Sequence, residues 1–434
     1  MSPHDPYAPQ SGDTTFDVES YELDLTYRVR TNRLEGVATV NAVAAVATSS
    51  VALDLIGLRA SRVRVDGDRR TRFAQGPRKV RVALPRRMEP GERFSIEVAY
   101  AGAPGPRRTR WGTIGFEELE DGALVAGQPV GAPTWFPCND RPDDRAGYTI
   151  TIATDAGYAG VATGALVGSA RRGQLEARTY RSAVPTATYL TAVHIGPYET
   201  RAMPLDLGAR GVAVTLVHPP ALRAAVDGAF APVPRMLALF ERDFGPYPQD
   251  ACTLVVTPDA LEIPLEAQGM AVFGSNHLDA ASERLVAHEL AHQWFGNSVG
   301  LARWQDIWLN EGFACYAEWL WSEAAGRQTV AEKAERHHAR LAGMPQDLVL
   351  SDPGPALMFD DRVYKRGALT LYALRRFAGD ATFSALMREW VRAGAGEVVT
   401  TADFRALAVR MAGPGADDLL TGWLDLPPLP ALPR

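Results

Sequence analysis

The amino-acid sequence predicts a multidomain α and β protein. An N-terminal antiparallel β saddle or sandwich is expected over residues 1–203, followed by a mixed and then mainly helical part over residues 204–434. Three observations carry this expectation. Apolar and polar residues alternate with period 2 in several early segments, as half-buried strands require. The period lengthens to a helical one further on and dominates from Ser282. The 434 residues also exceed one domain of roughly 100–200 residues.

Taken in order, Tyr21, Leu23, Leu25, Tyr27 and Val29 alternate with Glu22, Asp24, Thr26 and Arg28, which reads as a strand. Similar runs occupy Val37–Val46, Phe94–Tyr100 and Tyr148–Thr154, with Gly, Pro and Asp turns between them. A break is expected from Gly196-Pro197 to Gly211. Beyond it Ala221–Phe244 reads as one helix stopped by Gly245-Pro246, and Cys252–Val256 as a short buried strand. A helix led by Ala281–Ala287 should stop at Gly296-Asn297, placing Leu285, His288, His292 and Phe295 on one face. Further helices are expected near Glu311 to Gly326, at Thr329–Ala342, at Gly367–Phe377 and at Thr382–Ala393. The Pro-rich Leu426–Pro430 reads as an extended terminal segment.

Composition narrows the function classes. With 46% hydrophobic and 22% charged residues, and no apolar run near the ~18 residues of a membrane span, a globular chain without a membrane partner is expected. Met1–Tyr7 lacks a charged and apolar leader pattern, so the expected compartment is the cytoplasm. A net charge of -6 argues against nucleic acid as a partner, and Arg107-Arg108-Thr109-Arg110 reads as solvated charge. Three scattered cysteines (Cys138, Cys252, Cys315) suit neither a disulfide framework nor a thiolate metal site.

The chemistry is concentrated in His288-Glu289-Leu290-Ala291-His292 and in Glu311, within Trp308-Leu309-Asn310-Glu311-Gly312. Histidines four residues apart on a helix share a face and can present both imidazoles to one ion. Glu289 lies about 100° round from His288, placed to miss the metal and reach a water bound to it. Two imidazoles and one carboxylate leave one tetrahedral position open, the mark of a catalytic rather than a structural Zn2+, one per chain. Glu318, two turns after Glu311, is a candidate acceptor for the second ring nitrogen of a metal-binding histidine. A solvated helix-face carboxylate is the alternative.

On these residues the chain resembles the aminopeptidase N family of zinc metallopeptidases, the gluzincins that include leukotriene-A hydrolase. Trp135-Phe136-Pro137-Cys138-Asn139-Asp140 is similar to the family's Pro-Cys-x-Asp segment. Val363-Tyr364-Lys365-Arg366-Gly367-Ala368 is similar to its Tyr-x-Lys-Gly-Ala segment, with Arg366 in the Lys position. Asp17–Leu23 resembles its opening strand.

The resemblance implies a thermolysin-like catalytic domain behind the β saddle, Glu289 as base and Tyr364 over the reacting carbonyl. It also implies that Glu266 and Gln128 hold the free amine of a peptide substrate. The family's Gly-x-Met-Glu-Asn segment is altered here to Ile263-Pro264-Leu265-Glu266-Ala267, with Glu262 as a competitor for the acid's role. Many relatives carry a large C-terminal helical domain over the cleft, and this chain reads as a short form without it. A more open cleft, or a partner subunit over it, is expected, with the oligomeric state left open. A zinc endopeptidase or epoxide hydrolase on the same site, or a catalytically silent peptide-binding member, are the alternative readings.

Overall fold

The computed structural model describes residues 5–207 and 212–433. The chain divides into two compact units that interleave in sequence. The first comprises Met1–Met203, Thr215–Arg223 and Asp250–Ser275, and the second Pro204–Val214, Ala224–Gln249 and Asn276–Arg434.

The first unit is built on strands. Phe16–Arg28 buries every second side chain, with Tyr21, Leu23, Leu25 and Tyr27 inward, while Val29 opens a short 3-10 turn. The following strand spans Arg33–Ala44 and points its even-numbered residues inward, Leu34 through Ala44. Both belong to a seven-stranded sheet with Arg93–Gly102, Arg145–Asp155, Leu175–Ala187, Ala165–Arg172 and Arg59–Val65. One of its pairs, Phe16–Arg28 with Arg145–Asp155, is parallel, in register Leu23 to Ile150, so the sheet is not purely antiparallel. A second parallel pair joins Cys252–Val256 to Met270–Phe273. The apolar faces form one core in which Val217, Val255, Ala267, Met270 and Val272 lie with Tyr21, Ile150 and Phe136.

Two local expectations are corrected. The region from Gly196 to Gly211 is not simply a break, because Glu199–Leu207 forms a strand; residues 208–211 lie outside the described residues. The single helix expected over Ala221–Phe244 is three pieces: a 3-10 turn Pro220–Leu222, α1 (Arg223–Phe230) and α2 (Val233–Phe244). Pro232, which cannot donate within a helix, separates the last two.

The second unit continues with α3 (Glu283–Ala291), α4 (Trp308–Ala324), α5 (Val330–Ala342), α6 (Asp361–Ala378), α7 (Asp380–Gly394), α8 (Thr401–Ala412) and α9 (Gly415–Leu420). Thr329 and Thr400 start α5 and α8 with reciprocal capping boxes to Glu332 and Asp403. Helices α4 and α6 touch at two glycines. A Cβ on Gly312 would lie 2.8 Å from Gly367 Cα, and one on Gly367 would lie 2.7 Å from Gly312 Cα. Only residues without side chains allow that approach.

Arg366, on the buried side of α6, holds the C-terminal segment. Its guanidinium donates to the carbonyl oxygens of Trp423 (2.9 Å), Pro427 (2.7 Å), Leu348 (3.1 Å) and Leu426. Burial pushes it down to about 10. Among the described residues no helix is long and apolar enough to cross a membrane.

Candidate active site

The site is assembled by α3, α4 and α6 within the second unit. Helix α3 ends at Ala291, earlier than Gly296, yet His292 caps it with helical dihedrals and its N–H still donates to His288 O at 3.2 Å. His288 and His292 therefore keep their i, i+4 relation, with ring centroids 4.7 Å apart. The chain then turns at Gly296, whose φ of +101° favours glycine and where a Cβ would meet Asn310 Nδ2 at 2.9 Å. That contact lays the histidine segment against the residue preceding Glu311.

Glu311 sits in the first turn of α4, where the helix N-terminus favours a carboxylate. Its Oε2 lies 3.4 Å from His288 Nε2 and 3.5 Å from His292 Nε2. Two donors each about 2.1 Å from a tetrahedral zinc stand about 3.4 Å apart, so the separations fit a shared Zn2+. One donor atom from each of the three buried residues lies within 4.8 Å of the others.

The tautomers agree with this. Carboxylate and carbonyl oxygens only accept, so His288 Nδ1–H donates to Glu318 Oε1 at 2.8 Å and His292 Nδ1–H to Phe295 O at 3.0 Å. Both Nε2 atoms are left to face Glu311. Glu318, expected from spacing alone, thus touches His288 directly. Its charge is supported by Arg284, 3.3 Å away, and by Lys365, 3.9 Å away. Burial pushes the Glu318 carboxyl up, but Lys365, His288 and Arg284 together hold it well below the usual carboxylate range. Burial likewise lowers His288, while Glu311 and Glu318 raise it further, to about 9. A divalent cation would take the place of the proton those two acids attract.

Glu289 is buried on α3 beside His288. Tyr364, half-buried on α6, lays its ring nearly parallel to that of His288, with centroids 6.0 Å apart and 25° between planes. Its neighbour Lys365 is buried, with Nζ 3.1 Å from Cys315 Sγ. Sequence reading did not single out Lys365, Arg284 or the Phe295 carbonyl. A basic residue after Tyr364 was the only available signal, and it looks like helix-surface charge.

Gln128 and Glu266 belong to the first unit. Glu266 lies on the short strand Leu265–Ala267, opposite Ala271. Gln128 follows the strand Gly122–Ala126, and its amide Nε2 is buried without a hydrogen-bond partner among the described residues. Their segments share a support, the 3-10 turn Thr188–Leu190. A Cβ on Gly127 would lie 2.3 Å from Tyr189 O, and Gln268 N–H donates to Leu190 O at 2.9 Å. Glu262 lies outside that strand, in the loop before it.

A two-imidazole, one-carboxylate cluster with a buried acid beside it, carried on packed helices, has the make-up of a zinc hydrolase. Comparison with known proteins makes the class specific. The Peptidase M1 N-terminal domain profile matches residues 17–190 and the Peptidase family M1 domain profile matches residues 229–423. The M1 zinc metallopeptidase from Deinococcus radiodurans superposes with a TM-score of 0.92 at 33% identity, over 100% of this chain and 99% of that one. A mutant of it bound to a Tyr-Ser-Ala substrate gives 0.93, also at 33%, with both chains covered fully.

The chain belongs to peptidase family M1 and is a zinc metallopeptidase. Human endoplasmic reticulum aminopeptidase 1 is 27% identical over 404 residues, 84% of this chain and 42% of that protein. Rice aminopeptidase M1-A is 27% identical over 334 residues, 70% of this chain and 37% of its own length. The chain thus spans less than half the length of these curated relatives.

The contact to His288 makes Glu318→Gln informative. Such partners typically matter by about 10–100-fold in metal affinity or activity. Zinc affinity of the variant is expected to fall by that factor, read by competition with a chelator. Unchanged affinity and turnover would mean that the hydrogen bond does not tune the metal.

Proposed function

We propose that this chain is a zinc aminopeptidase that removes the N-terminal residue from peptides with a free amine. The observation carrying the proposal is the convergence of His288 Nε2 and His292 Nε2 on one Glu311 oxygen, at 3.4 and 3.5 Å. His288, His292 and Glu311 would hold one Zn2+. When bound there, the ion supplies a Lewis acid and lowers the pKa of a bound water to about 7.

The chain's own groups do the rest. Glu289 takes a proton from the attacking water and returns it to the departing amine nitrogen. The Tyr364 hydroxyl donates a hydrogen bond to the scissile carbonyl oxygen as that atom gains negative charge. Glu318 fixes the orientation and tautomer of His288. Loss of the Tyr364 donor is expected to cost about 10²–10³ in kcat, so Tyr364→Phe should retain zinc and KM while losing turnover. A kcat within about threefold of native would remove Tyr364 from this role.

Glu266 and Gln128 hold the substrate ammonium, which makes the enzyme an exopeptidase because only a chain terminus carries that group. Supporting this is the turn that their segments share, and toward an ammonium Gln128 would act through its amide oxygen, the acceptor end of the side chain. The tripeptide in the Deinococcus relative supports peptide as the substrate class.

The test is hydrolysis of matched aminoacyl anilides with free and acetylated N-termini, with Glu289→Gln as control. Cleavage of the free-amine series alone is expected, with Glu266→Ala losing that preference and Glu262→Ala near neutral. Equal cleavage of both series would favour the endopeptidase alternative that the altered Ile263–Ala267 stretch keeps open. No cleavage of either would favour the silent peptide-binding alternative.

A further inference from the structure

We propose that Asp140, through Thr188, is a positioning residue for the substrate amine, setting the turn on which the Gln128 and Glu266 segments rest. The proposal rests on the reading of those two residues as amine anchors. Asp140 is buried in the first unit, and its Oδ1 accepts from the Thr188 hydroxyl at 2.7 Å. Thr188 opens the turn Thr188–Leu190, closed by Thr191 N–H donating to Thr188 O at 3.1 Å. Gly127 is pressed on Tyr189 O and Gln268 is bonded to Leu190 O, so each anchor lies one or two residues from a contact with the turn. A shift of Thr188 is therefore felt by both anchors together.

The form of the interaction argues that it is more than packing. Asp140 Oδ2 is buried with no hydrogen-bond partner among the described residues, an arrangement that an apolar side chain would avoid. Its surroundings also disfavour charge. Asp140 N–H donates to Asp54 Oδ2 at 3.3 Å, and Lys79 is taken up by Asp54 Oδ1 at 2.8 Å. Burial and the Asp54 carboxylate push Asp140 up to about 7. Toward Thr188 the side chain serves as a hydrogen-bond acceptor, a role that needs the oxygen whether or not the group is charged. Asparagine keeps that oxygen and alanine does not; serine keeps the hydroxyl of Thr188 and valine does not.

The test measures kcat and KM on an aminoacyl anilide and on its des-amino analogue, for Asp140→Ala, Asp140→Asn, Thr188→Val and Thr188→Ser, each with zinc content. Asp140→Ala and Thr188→Val are expected to raise KM for the free-amine substrate about tenfold, the scale of one lost hydrogen bond. Their kcat and zinc content should stay near native, the des-amino substrate should be unaffected, and Asp140→Asn and Thr188→Ser should behave as native. A fall in kcat at constant KM, an equal effect on both substrates, or equal damage from Asp140→Asn and Asp140→Ala would overturn the proposal. If Asp140→Ala does not fold, Thr188→Val against Thr188→Ser decides alone. Glu266→Ala separates the two readings. If it abolishes the preference for a free amine while Thr188→Val does nothing, only the positioning role fails. If it leaves the preference intact, the amine-anchor reading fails, and this proposal with it.

Discussion

Replacing Glu289 by Gln is expected to lower kcat by about 10²–10⁴-fold while one zinc per chain is retained. The exchange is isosteric and removes only the ability to take a proton. The metal-binding residues should not notice it, because their orientation is set elsewhere. His288 is held by Glu318 at 2.8 Å and His292 by the Phe295 carbonyl at 3.0 Å. Stopped assays with parallel zinc analysis separate the possibilities. A variant that keeps its metal and more than about a tenth of its turnover would take Glu289 out of the proton-transfer role. A variant that loses zinc would show that the acid is needed to build the site rather than to use it.

The second large effect is expected at the crossing of α4 and α6. Glycine to alanine inside a helix ordinarily stabilises by up to about 1 kcal/mol. At Gly312 the sign should reverse. The new methyl would lie 2.8 Å from Gly367 Cα and 3.0 Å from its carbonyl carbon, backbone atoms with no rotamer to yield. Overpacking of this kind costs about 1–3 kcal/mol. Glu311 precedes Gly312 and Tyr364 lies three residues before Gly367, so separating the helices also moves the proposed metal-binding Glu311 away from Tyr364. Misplacement of about 1 Å can cost about 10²-fold in rate. Gly312→Ala and Gly367→Ala should therefore each lower the unfolding temperature and kcat together. Thermal melts at or above the native value would mean that the helices do not need this approach.

Much of the fold is legible in the sequence. The period-2 burial of Tyr21 to Tyr27 follows from alternation alone, and the short strand Cys252–Val256 emerged with the expected bounds. Local signals misled where one residue type had two meanings. The apolar spacing from Ala221 to Phe244 hid a break, because Pro232 was outweighed by the alanines and valines around it. The parallel pairing of Phe16–Arg28 with Arg145–Asp155 joins segments more than a hundred residues apart, and no local pattern encodes such a choice.

The candidate site divides in the same way. The pairing of His288 with His292 follows from helical spacing, which is local geometry, whereas Glu311 lies on another helix and only its sequence context points to it. Glu318 was reachable because α4 continues regularly past Glu311. Lys365 and the Gly312–Gly367 approach were not, since each depends on which helix faces which. In the sequence Arg366 shows only as a departure from a motif. Its partners are carbonyl oxygens, which every residue carries and which leave no trace in sequence.

The interleaving of the two units bears on how such a protein could be inherited. Thr215–Arg223 and Asp250–Ser275 follow the first 203 residues in the chain yet pack with them, contributing Val217, Val255, Met270 and Val272 to their core. A gene fragment cut at that point would encode a helical half burdened with strands whose apolar faces have lost their cover. Recombination there would not exchange intact modules, because the first unit's core is split across the cut.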